Sequence, residues 1–180
     1  MIGNHRSRGA AGALALAGAL AGCGAITQTL QQNQLRSVEA VRGWQVYWVG
    51  MRFEGLPLRA LNRDPGGAFT AQYGNCENAN AACAAPLLIV STPDPSFVPG
   101  APHAELPTTI RSVPVYATDG GRILHVATGN ESVTVTARRA TDALAAVDSM
   151  DALNNGGSSA SSALPSPQPN APSPLDQSNG

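Results

Sequence analysis

Few side chains in this sequence are of types that do chemistry. Cysteines stand at 23, 76 and 83, and histidines at 5, 103 and 125. His103, with Asp94 and Glu105 near it, could bind a metal or move a proton. The three are spread through a proline-rich stretch without the ligand spacing of a metal site, and a solvated loop is their ordinary state. His125 lies in Ile123-Leu124-His125-Val126, sharing a face with Ile123 and Ala127, where a partly buried structural histidine is expected. Glu54, Asp64 and Glu77 fall in segments that read as loops. A pair of them could do glycoside chemistry at the right separation, but solvated acids are the usual case. Trp44, Tyr47, Trp48 and Phe53 could line a sugar or peptide groove, or more ordinarily form core. The sequence has no Gly-x-Ser-x-Gly elbow, phosphate loop or dinucleotide fingerprint. All 11 basic residues are arginine, which excludes Schiff-base and lysine general-base catalysis. No metal or cofactor is expected.

The first cysteine has a distinctive setting. Arg6 and Arg8 form a short positive region, and the Ala/Gly/Leu stretch from Gly9 to Gly22 follows. That stretch is too short for a spanning helix, which needs roughly 20 residues, so it reads as a signal peptide. It ends in Leu20-Ala21-Gly22-Cys23, which resembles the lipobox of bacterial lipoproteins. The resemblance implies diacylglyceryl transfer to Cys23 through a thioether and cleavage just before it. Acyl chains contribute about 0.8 kcal/mol per buried methylene, so two or three hold a protein firmly to a bilayer. The competing reading is an ordinary secretory signal with Cys23 as a bystander.

Loss of residues 1–22 removes two arginines and no acid, leaving nine arginines against 12 acids, a net charge of −3. A mildly acidic chain without a basic run has no electrostatic footprint for nucleic acid or anionic lipid heads. The lipid on Cys23 is then the expected membrane attachment, at the extracytoplasmic face. Assigning Cys23 to lipid leaves Cys76 and Cys83, which flank the polar loop Glu77-Asn78-Ala79-Asn80-Ala81-Ala82. An oxidising compartment favours a disulfide between them, contributing roughly 2–3 kcal/mol. Zinc would need four ligands, and a redox pair usually has the tighter Cys-x-x-Cys spacing.

The elements that must position these residues divide the chain into a leader at 1–22, a Gln-rich tether at 23–34, one domain at 35–153 and a Ser/Pro/Asn tail at 154–180. The tail lacks apolar periodicity and is expected to be disordered. Leu35, Val38 and Val41 recur at helical spacing. Trp44–Val49 reads as a strand apolar on both faces, hence central. Gly50 and Gly55-Leu56-Pro57-Leu58 break the pattern, with Leu58 and Leu61 in a helical turn. Strands are expected at 68–73 and 87–90, then an irregular excursion over 92–107, which carries five prolines. Val113–Thr118, Asp119-Gly120 and Arg122–Thr128 form a hairpin signature, and Gly129-Asn130 turns into Ser132–Thr136. Residues 139–151 predict a helix with Ala140, Leu144, Val147 and Met150 as its apolar stripe. The sum is an α+β domain, with a mostly antiparallel sheet of about five to six strands and the C-terminal helix packed on one face.

Val46-Tyr47-Trp48-Val49-Gly50, Phe53-Glu54-Gly55-Leu56-Pro57-Leu58, Tyr73-Gly74-Asn75-Cys76 and Cys83-Ala84-Ala85-Pro86-Leu87 together resemble a group of small lipoproteins and secreted proteins of actinobacteria. That resemblance carries no activity; it supports a genuine domain with Cys76 and Cys83 paired. The expectation is a lipid-anchored, noncatalytic envelope module that binds or supports an envelope-protein or cell-wall partner. A small-ligand or cell-wall-binding module, or an extracytoplasmic hydrolase, are the alternatives. A histidine bonded to a carboxylate in a pocket would favour the hydrolase, and an open apolar pocket beside Trp44 or Trp48 the small ligand.

Overall fold

The structure, a computed structural model, describes residues 32–75, 84–94, 108–154 and 163–167. In chain order it has a helix at 32–39 (α1), β1 (Tyr47–Trp48), β2 (Arg52–Phe53), β3 (Leu56–Arg63), β4 (Phe69–Tyr73), β5 (Leu87–Thr92), β6 (Thr108–Ile110), β7 (Val113–Thr118), β8 (Ile123–Thr128), β9 (Glu131–Ala137), α2 (Ala140–Ser149) and β10 (Asp151–Ala152). The class is α+β, mainly antiparallel, with a C-terminal helix. The strand count differs from five to six: the main sheet has eight strands and β1 with β10 makes a second sheet of two.

The main sheet runs β2-β3-β4-β5-β9-β8-β7-β6. It is two antiparallel meanders joined where β5 pairs with β9. This junction sends the chain from the middle of the sheet to its far edge, between Thr92 and Thr108, which is the interval of the proline-rich excursion. Sequence alternation sets the register. Leu61, Ala71, Ile89, Val135 and Leu124 lie opposite one another across five strands. The neighbouring row runs Phe69, Ser91, Val133, Val126 and Val115. All of these are buried, while Thr70, Gln72, Thr134 and Thr136 on the opposite face are half-exposed. A sheet with one dry face needs a cover on that face.

Part of the cover is the segment 44–50, which departs from its expected place. It is not a central strand. Only Tyr47 and Trp48 pair, with Ala152 and Asp151. Tyr47 N–H donates to Ser91 Oγ at 2.9 Å, and Tyr73 Oη bonds Val49 N and Gly50 O, so the segment is tied side-on to β4 and β5. Trp44, Val46 and Tyr47 are buried while Gln45, Trp48 and Val49 are half-buried, a pattern that alternation alone cannot tell from a central strand. Trp44, Val46 and Tyr47 join one cluster with Val38 of α1 and Met150.

Helix α2 packs against β8 and β9. Its buried side chains are Ala143, Ala146 and Val147, with Met150 just beyond it; Leu144, expected in the stripe, is 45% exposed. Small alanines let the helix approach the sheet closely, and the face that fits is rotated from the one with the largest residues. The expected break at 55–58 is instead the start of β3. Pro57 sits opposite Arg52 of the short edge strand β2, where a missing N–H is tolerated, and the register slips at Leu58/Ala60. Inside the stretch expected to be a disordered tail, residues 163–167 are placed against the domain, and Leu164 is 6% exposed.

Candidate functional site

Among the described residues, Glu54, Asp64 and His125, first suspected of chemistry, are not brought together. Cys23, Cys76, Cys83, Glu77, His103 and Glu105 lie outside the described residues. Glu54 and Asp64 sit in turns at opposite ends of the eight-residue strand β3, about 25 Å apart at strand rise. Glu54 is 3.9 Å from Arg139, and Asp64 Oδ2 accepts from Thr70 Oγ1. His125 is 5% exposed and lies between Thr134 Oγ1 at 3.2 Å and Thr118 Oγ1 at 3.4 Å. Burial lowers its pKa, so the neutral ring bonds two hydroxyls. Among the described residues no three His, Cys, Asp or Glu side chains form a metal-holding group. Trp44 and Phe69 meet with ring centroids 6.0 Å apart, and Trp44, Tyr47 and Phe53 are core.

A different carboxylate occupies the most developed site. Glu131 opens β9 just after the Gly129-Asn130 turn, where a charged residue is ordinarily solvated. It is 1% exposed. Period-two alternation puts it on the face of Val133 and Val135, beneath segment 44–47. Its Oε2 accepts from Asn130 N at 3.1 Å, the Gln45 backbone N–H also donates to it, and Tyr47 Oη lies 3.4 Å from Oε1. The phenol's one proton has a nearer acceptor in Gln45 Oε1 at 2.5 Å. Burial pushes the Glu131 carboxyl up to about 7, against the lowering pull of the two amides and the phenol. Burial also raises Tyr47.

Gly129 is favoured here by its backbone conformation, and a Cβ would also crowd its neighbour. Its φ is +55°, and a Cβ there would stand 3.0 Å from Glu131 Oε1. The carboxyl therefore folds back over its own turn and ties the hairpin to segment 45–47. Asn154 completes the tie from the other side. Its Oδ1 accepts from Val46 N at 2.9 Å, and its Nδ2 donates to Trp44 O at 2.7 Å and Val41 O at 3.4 Å.

Two depressions flank this network. A cleft of about 500 Å³ is lined by Glu39, Arg42, Trp44, Asn130, Glu131 and Pro165, among others. Its borders are mostly polar, and Asn130 Oδ1 is buried there without a partner. The second is a small hollow of about 80 Å³ lined by Tyr47, Arg111, Met150, Ala152 and Leu164, among others, and Leu164 itself belongs to the core cluster. Leu164 N–H donates to Arg111 O at 2.9 Å. The Pro165 carbonyl accepts from Thr128 Oγ1 at 2.8 Å and from Gly129 N at 3.1 Å. Arg111 and Ser112 form the β6–β7 turn with φ of 48° and 69°, and the Arg111 guanidinium bonds Met150 O, which fixes the turn under Leu164.

Sequence reasoning passed over Glu131, Asn154 and Leu164. For Glu131 a signal existed: a carboxylate in phase with Val133 and Val135 is a charge on an apolar face. Leu164 offered only an isolated apolar residue in a polar tail. Comparison with family models, with curated proteins and with solved structures gives no match.

Proposed function

We propose that this chain is a lipoprotein, held at the extracytoplasmic face of the cell membrane by lipid on Cys23, and that its domain is a noncatalytic module for an envelope-protein or cell-wall partner. The observation that carries this is Leu20-Ala21-Gly22-Cys23, directly behind an apolar stretch with Arg6 and Arg8 upstream. Two or three acyl chains anchor firmly without a spanning helix. Pairing of Cys76 with Cys83 belongs to the same proposal, because it makes the odd cysteine count intelligible in an oxidising compartment.

Support for a binding role over hydrolysis comes from how the titratable groups are used. Glu131 is engaged by two backbone amides and Tyr47, and His125 by two threonines. Each is in a structural tie, without the acid–base pairing that glycan or peptide hydrolysis needs. The small-ligand alternative draws on the more apolar hollow of about 300 Å³ beside Trp48 and Val49, not on the mostly polar cleft beside Trp44.

The test is Cys23→Ala in the expressing cell, read by fractionation. Loss of the protein from membranes, or accumulation of unprocessed precursor, is expected. An unchanged membrane fraction with normal processing overturns the proposal.

A further inference from the structure

We infer that the hollow beside Trp48 and Asp151 is a binding site for a small organic amine, its ammonium set between the indole and the carboxylate. This rests on the small-ligand reading of the same hollow and names the ligand's chemistry. Strand pairing brings the two side chains together. Trp48 of β1 and Asp151 of β10 are direct partners in the two-stranded sheet. Directly opposed residues project to the same side of a sheet with Cβ atoms about 5 Å apart, so one nitrogen can reach both. Their neighbours Tyr47 and Ala152 project to the other side, into the core. Trp48 and Asp151 are half-buried and line a hollow of about 300 Å³.

The walls of this hollow favour a cation and supply none. Asp151 Oδ1 is buried without a hydrogen-bond partner, and no ion pair engages Asp151 among the described residues. A buried carboxylate oxygen left unpaired costs free energy that an N–H donor recovers. None of the residues lining the hollow is basic. Arg111 also stands near the end of α2, but its guanidinium bonds Met150 O and Asp148 O, and it lines the smaller hollow on the Tyr47 side, which Asp151 borders too. Ser149 Oγ, another lining group, donates its one proton to Ala145 O at 2.7 Å and can otherwise only accept. The face of an indole attracts a cation through its quadrupole, more strongly where water is partly excluded. Val49 and Leu153, both packed against the core, offer an apolar wall to an alkyl stem. A carboxylate, an indole and an aliphatic wall together recognise an alkylammonium. The volume, at the lower end for ligand pockets, limits it to a small one.

The experiment uses the full chain in nonionic detergent at constant ionic strength. The probe is n-pentylammonium chloride, and the readout is the NMR shift of the Trp48 indole N–H. The indole of Trp44, packed on Phe69 away from this hollow, is the internal control. Saturable binding at Trp48 is expected, with a dissociation constant on the order of millimolar for so small a ligand. Asp151→Asn keeps the side-chain shape, removes the charge and breaks no ion pair of the described residues. It should unfold at the temperature of the unaltered chain and bind on the order of tenfold more weakly. n-Pentanol, the same stem without the charge, should not saturate. No saturable shift at Trp48, equal shifts at both indoles, or equal affinity in Asp151→Asn overturns the inference. A marked loss of stability in Asp151→Asn overturns it as well, because the carboxylate would then be holding the fold. Equal affinity for n-pentanol overturns the ammonium while leaving the small-ligand reading of the hollow in place, and saturation by neither probe removes both. None of these outcomes depends on Cys23, so failure here and failure of the anchor are distinguishable.

Discussion

Replacing Glu131 by glutamine tests the buried carboxyl directly. Glu131 titrates near 7 in the fold and at 4.5 in its unperturbed state, with burial as the leading cause. Between those values the folded chain keeps a proton that the unfolded chain has lost. The stabilisation is fully present below pH 4.5 and is lost as pH rises through 7. From pH 5 to pH 8 the loss is roughly 2–3 kcal/mol, since each pH unit of mismatch is worth about 1.4 kcal/mol. His125 works in the opposite sense. Its folded pKa is lowered from 6.5, so stability is lost as pH falls below that value. Both chains carry His125, and its effect cancels in their difference. Glu131→Gln keeps the volume and cannot ionise. Its amide nitrogen faces an N–H donor, so the variant can begin less stable at pH 5. Relative to the unaltered chain it must gain roughly 2–3 kcal/mol by pH 8, about 10 °C in Tm for a domain of this size. Thermal unfolding followed by circular dichroism at pH 5, 6, 7 and 8 measures this. Parallel Tm curves for the two chains, or a variant that loses ground as pH rises, would refute the assignment of a desolvated carboxyl.

The remaining expectations concern ties and packing. Asn154→Ala should cost about 2 kcal/mol, because Val46 N–H and Trp44 C=O lose their partner inside the fold, and urea unfolding reads the loss. Val147→Ala, at a fully buried position, should destabilise by roughly 2 kcal/mol, whereas Leu144→Ala at a 45% exposed one should stay within about 0.5 kcal/mol; equal losses would contradict the observed rotation of α2. In protein recovered from the envelope, Cys76 and Cys83 should resist alkylation until a reductant is added, as mass spectrometry can show. Two thiols alkylated without reduction would contradict the pairing.

The parts of the fold that could be read from sequence are those where local chemistry and tertiary role agree. Val113–Thr118 and the strands on either side of Gly129-Asn130 turn on residues suited to the turns and lie in the sheet within a residue or two of their expected bounds. The errors came where the environment decides. Segment 44–49 has strand composition, but its apolar residues pack across a sheet instead of pairing within it. Pro57 reads as a breaker until a short edge strand stands beside it. Leu144 is the largest apolar residue in α2, yet alanine's small size determines which face meets the sheet. Glu131 was legible in principle, from its phase with Val133, but hairpin ends are usually wet and the covering segment is remote in sequence. Leu164 lies 36 residues beyond Thr128, and nothing local marks it as a residue that joins the core cluster.

The central claim is the anchor, and the mature N-terminal peptide tests it most directly. Mass spectrometry of that peptide, taken from membranes of the expressing cell, should find a chain that begins at Cys23 and carries diacylglyceryl on its sulfur. An N-terminus at any other residue, or a Cys23 free of lipid in membrane-bound protein, would contradict the account.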